Sequence, residues 1–110
     1  MRAYLIDEIH PSQMEKINDF LKKNAISSHL DDIFWVKIPE NLLSNIQLEH
    51  TNCQPHVFTV ELGAEWIKLE FLVRSLSTMR CSCTGYCTEA QRNYILDFAH
   101  NTIDRLGIIT

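Results

Sequence analysis

The chain has 110 residues, a net charge of −4, 45% hydrophobic and 22% charged residues, and only three Gly and three Pro. That length suits one domain, residues 1–110, which can bury a core without staples, and the composition excludes a disordered or fibrous chain. The acidic balance disfavours sequence-independent binding to nucleic acid or to an anionic membrane, and no stretch approaches the ~20 apolar residues of a bilayer span.

The charge is uneven: residues 1–65 hold five Lys/Arg against ten Asp/Glu, and residues 66–110 hold five against four. The start of the chain meets acid at Asp7 and lacks a long apolar run, so it does not read as a secretory signal. The expectation is a soluble cytoplasmic protein with reduced cysteines.

Taken in order, residues 3–6 form a short β-prone run that His10-Pro11 ends. Ser12 and Glu15 have the spacing of a capping box, followed by Met14, Ile17 and Leu21 at helical intervals with Phe20 beside them. This helix is expected to end near Asn24 in a left-handed cap, with Lys22 and Lys23 at the negative end of its dipole. Residues 25–32 read as a polar connection. The next strand, residues 33–38, alternates Phe34, Val36 and Ile38 against Ile33, Trp35 and Lys37, and Pro39 stops it.

Residues 40–50 predict one or two short helical turns, with a second capping-box pattern at Ser44 and Gln47, and residues 52–55 predict a loop. The clearest motif is a hairpin of residues 57–62 and 66–74 around Gly63-Ala64-Glu65. Phe58, Val60 and Leu62 share a face, as do Ile67, Leu69, Phe71 and Val73. After a turn at 75–78, residues 79–83 are expected to add an antiparallel strand, and Thr84-Gly85-Tyr86 to turn the chain. Thr88 then caps the longest helix with Gln91 as its box partner; Ile95, Phe98, Ala99, Thr102 and Leu106 make its stripe, and Gly107 sits just past its end. The order predicts an α+β fold: an antiparallel or mixed sheet of four to five strands with two main helices packed on one face. Strand order is not readable.

Three of the four cysteines, Cys81, Cys83 and Cys87, fall within seven residues. Read as metal ligands, they would need Cys53, His50 or His56 as a fourth donor for tetrahedral zinc. The interval Cys83–Cys87 suits a knuckle, whereas the single residue between Cys81 and Cys83 departs from the usual zinc spacing. Read as redox thiols, Cys87 would be ionised by the helix start and by Arg80 and Arg92, with Cys81 or Cys83 resolving it. The bland reading is that Cys81 and Cys83 alternate with Met79 on a strand and pack as small hydrophobes. An enzyme with Cys87 as nucleophile ranks lowest, because no base or oxyanion donor can be named, and whether the protein is an enzyme stays open.

The last feature is a surface. If the dry side of the hairpin faces the helices, Trp35, Trp66 and Leu72 lie on the opposite side with Ile33 and Val57. Such a patch fits a homodimer or another protein partner. The competing reading is that the stems of Lys37, Lys68 and Arg74 cover it. The favoured function is a non-enzymatic interaction or self-associating module with no cofactor. The alternative is a metal-binding or redox-active thiol protein, with zinc as the metal.

Overall fold

Alternating apolar residues make strands, and here the strands gather into one antiparallel meander built on the hairpin. The computed structural model describes residues 2–78 and 80–110. Within them the order is β1 (Ala3–Ile6), α1 (Pro11–Asn24), β2 (Ile26–Ser27), β3 (Ile33–Lys37), α2 (Asn45–Glu49), β4 (His56–Leu62), β5 (Ile67–Glu70), β6 (Leu72–Ser75), β7 (Gly85–Tyr86) and α3 (Glu89–Leu106). Short 3₁₀ turns at Glu40–Leu42 and Thr51–Cys53 flank α2. The sheet runs β1-β5-β4-β3-β2, with β6 pairing β4 and β7. The α+β class and the antiparallel sheet are as the periodicity requires, with seven strands where four to five were expected.

Two physical facts account for the extra strands. The second arm of the hairpin bends at Phe71 and becomes β5 and β6. At that bend the Phe71 amide donates to the Arg2 carbonyl, and the Phe71 carbonyl accepts from the Cys87 amide, both at 2.9 Å. The arm thus changes neighbour there, from β1 to β7. The other additions, β2 and β7, are two-residue strands too short to leave a periodic signal.

Residues 80–83 do not form the expected strand, and Met79 lies outside the described residues. The short pairing comes instead from Gly85 and Tyr86, opposite Val73 and Leu72.

The register puts Tyr4, Ile6, Phe34, Phe58, Val60, Leu62, Ile67 and Leu69 on one face. Met14, Ile17 and Leu21 of α1 and Ile95 and Ala99 of α3 join them in the core. Phe58 meets the rings of Phe98 and Tyr94 edge-on, at 5.6 and 6.4 Å between centroids. Both main helices therefore cover the same face. Trp35, Trp66 and Leu72 are half-buried on the other.

The helix ends follow local chemistry. Pro11 opens α1, where a missing N–H costs nothing, and the His10 ring accepts from the Ser12 amide at 3.1 Å. The expected Ser12–Glu15 box is therefore corrected: Ser12 lies inside the first turn. The left-handed stop near Asn24 is corrected too, because Ala25 (φ −128°) leads straight into β2. The boxes at Ser44–Gln47 and Thr88–Gln91 both form, and Gly107 closes α3 at φ 66°. Among the described residues no helix is long and apolar enough to cross a membrane.

Candidate metal centre

Two turns bring four soft donors together. At the end of α2, His50 begins the 3₁₀ turn, and the Cys53 amide donates to the His50 carbonyl at 2.9 Å. In a 3₁₀ turn residues three apart eclipse, so the His50 ring and the Cys53 thiol project the same way. The second pair comes from a turn in which the Thr84 amide donates to the Cys81 carbonyl at 3.1 Å. It presents the Cys81 and Cys83 thiols to the first pair.

The donor atoms of His50, Cys53, Cys81 and Cys83 all lie within 4.8 Å of one another. Cys53 Sγ is 3.4 Å from Cys81 Sγ, and His50 Nδ1 is 3.9 Å from Cys53 Sγ and 2.9 Å from Cys81 Sγ. Bond lengths of tetrahedral zinc imply donor separations of about 3.6–3.8 Å, so the cluster has the size of a single tetrahedral ion's shell. Cys53 and Cys83 are buried; His50 and Cys81 form the half-buried mouth.

The turns are held by bonds from both sides. Ser77 Oγ donates to the Asn52 carbonyl at 2.8 Å, and Ser75 Oγ donates to the Cys53 carbonyl. The Thr78 amide donates to Ser75 Oγ at 3.0 Å. The end of β6 thus grips the His50–Cys53 turn.

On the other side stand the two box glutamines. Gln47 Oε1 caps α2 by accepting from the Ser44 amide, and its Nε2 donates to the Cys83 carbonyl at 3.2 Å. Gln91 Oε1 caps α3 by accepting from the Thr88 amide, and its Nε2 donates to Gln47 Oε1 and to the Leu42 carbonyl, both at 2.9 Å. A buried amide chain so links the start of α3, the start of α2 and the cysteine turn.

The electrostatics divide the sulfurs. The backbone amide of Cys83, aided by the Cys83 thiol, brings Cys81 down to about 6 from an ordinary thiol value of 9.0. Burial, followed by the neighbouring Cys81 and Cys53 sulfurs, pushes Cys83 up to about 12. His56 is buried with Nε2 3.4 Å from Cys83 Sγ; with Nε2 protonated it donates to that sulfur. Its own pKa is lowered, by burial first and by His50 second.

Of the four thiols read from the sequence, Cys53, Cys81 and Cys83 come together and Cys87 does not. Cys87 packs against the core at the Phe71 bend. Burial raises its pKa, outweighing its own amide and Arg92. That direction opposes the ionised Cys87 expected at the helix start. The place in the cluster goes to His50. Its signal in the sequence was the two-residue interval to Cys53, a spacing metal pairs often use.

Of the surface residues, Trp66 folds back over Gly63, where a Cβ would meet the indole Cε2 at 2.0 Å. Lys68 Nζ lies 5.9 Å from that ring.

The fold is that of a small α+β protein in which one histidine and three cysteines form a group that could hold a metal ion. No protein-family model matches the chain, and neither a curated protein nor a solved structure matches it.

Proposed function

We propose that this protein is a non-enzymatic module that binds one structural zinc ion through His50, Cys53, Cys81 and Cys83. The carrying observation is that four soft donors, from two turns 28 or more residues apart along the chain, lie within 4.8 Å of one another. Thiolates and imidazole suit zinc over hard cations, which take oxygen. Four protein donors make a closed shell, as structural zinc has, whereas catalytic zinc keeps a position for water. Three thiolates leave the shell one negative charge, and in the Nε2-protonated tautomer His56 donates to Cys83 Sγ and softens it.

The test is elemental analysis and thiol titration of protein purified without oxygen. One zinc per chain is expected, with Cys53, Cys81 and Cys83 protected until a chelator is added. Absence of stoichiometric metal, with unchanged thiol reactivity after chelation, would overturn the reading.

A second reading concerns self-association. Its support is the sheet face opposite the helices, which carries half-buried Trp35, Trp66 and Leu72 and exposed Leu5. Sedimentation across a concentration range tests it. A dimer whose formation is lost on Leu72→Glu supports this face as the contact, and a monomer at all concentrations refutes it.

A further inference from the structure

Away from the cluster, the molecule has a groove that shares only Trp35 with the self-association face. The cause is the shortness of β2. Only Ile26 and Ser27 pair with β3, opposite Trp35 and Phe34, so Val36 and Lys37 have no strand beyond them on that side. The chain leaves the end of α1 through Asn24 and Ala25 instead of continuing along β3. Between this open edge and α3 lies a cavity of about 630 Å³. That volume falls in the range of small-molecule sites, ~300–1,000 Å³.

The lining has two chemistries. Half-buried Phe20, Tyr94 and Phe98 supply aromatic surface, with the rings of Phe20 and Phe98 6.5 Å apart and tilted. At the rim stand exposed Lys23, Lys37 and Arg105 against one acid, Asp97. None of these three cations is in an ion pair among the described residues. The groove is thus net positive on a chain of net charge −4. Charge placed against the global balance, above an apolar floor, selects a ligand with a flat hydrophobic body and an anionic head.

We propose that this groove binds small aromatic carboxylates, with the ring against Phe20 and Phe98 and the carboxylate among Lys23, Lys37 and Arg105. The site is independent of the metal reading and stands or falls separately. A carboxylate pairs well with the planar guanidinium of Arg105, which offers two parallel donors.

The experiment is a ¹⁵N-resolved NMR titration of the full chain with 2-naphthoate, repeated with neutral 2-naphthalenemethanol. Saturable shifts are expected at residues 20–26, 35–37 and 94–105, with the neutral analogue about tenfold weaker or more. Arg105→Glu should weaken 2-naphthoate by about tenfold or more, while Lys16→Glu, an equal charge change on an exposed site outside the groove, should leave it within about twofold. Shifts centred elsewhere, equal binding of the neutral analogue, or equal losses in the two variants would each overturn the proposal. The comparison of the two naphthalenes uses the unaltered protein, so it decides the matter even if a variant fails to fold.

Discussion

Gln47 and Gln91 each use one side-chain amide for two tasks: the oxygen caps a helix, and the nitrogen reaches across to another segment. Glutamate serves a capping box as well as glutamine does, but it has no N–H to give. Gln47→Glu therefore keeps the α2 cap, strands the Cys83 carbonyl and buries a charge. A loss of about 1–3 kcal/mol is expected in urea unfolding, and an unchanged midpoint would refute the relay. The thiols make a second residue-scale prediction. Without metal, Cys81 is ionised in the folded chain down to about 6, whereas in the unfolded chain it holds its proton up to about 9.0. Stability therefore rises with pH across that window, because the unfolded state binds more protons. Above it Cys83 reverses the sign: its proton stays on to about 12 in the folded chain only, so stability falls as pH rises further. Chelator-treated, reduced protein should be most resistant to urea near pH 9, and Cys81→Ser should flatten the rise from 6 to 9. A rise of equal size in that variant would show that other groups carry it.

At the scale of elements, short turns decide how this sheet is assembled. The β4–β5 connection brings the Trp66 indole across Gly63 so closely that any Cβ must displace it. Gly63→Ala should expose the indole, shift its emission to the red and cost about 1–3 kcal/mol. Unaltered emission and stability would mean that the ring does not rest on Gly63 in solution. The elements with strong local signals were legible from the residues: the apolar alternation of the hairpin, the Ser44 and Thr88 boxes, and Gly107 past the last helix. The start of α1 was misread because two N-terminal signals overlap, and Pro11 takes the first helical position before Ser12 can cap. A strand through residues 79–83 was expected from alternation alone; residues 80–83 instead turn, with the Thr84 amide bonded back to the Cys81 carbonyl.

For the whole molecule, core and cluster are separate supports. The core unites the inner sheet face with α1 and α3, and Cys53, Cys81 and Cys83 are no part of it. Chelation should therefore loosen the segments around 44–55 and 80–87 without melting the sheet, unlike isolated zinc fingers, which unfold when their metal is removed. Hydrogen exchange checks this. Amides of β3, β4 and β5 should stay protected while those two segments exchange faster. Global loss of protection, or no change anywhere, would contradict a local structural metal. His56→Phe should weaken metal binding by about 10–100-fold by removing the N–H at Cys83. An unchanged affinity in competition with a chromogenic chelator would assign His56 to packing alone.

Local physics determined much of this protein from its residues alone: an α+β class, two main helices and their faces, the hairpin, and two helix caps. These depend on neighbours within a few residues, where periodicity and hydrogen-bonding groups act directly. What the tertiary structure decided is which donors meet. His50 and Cys53 lie far from Cys81 and Cys83 in sequence, and only the grip of β6 on one turn and the glutamine chain on the other closes that distance. Cys87, nearer to Cys83 in the chain than Cys53 is, is drawn off by its backbone bond to Phe71. Proximity along the chain ranks partners only until the backbone is committed to a sheet, and after that the hydrogen bonds of the sheet rank them.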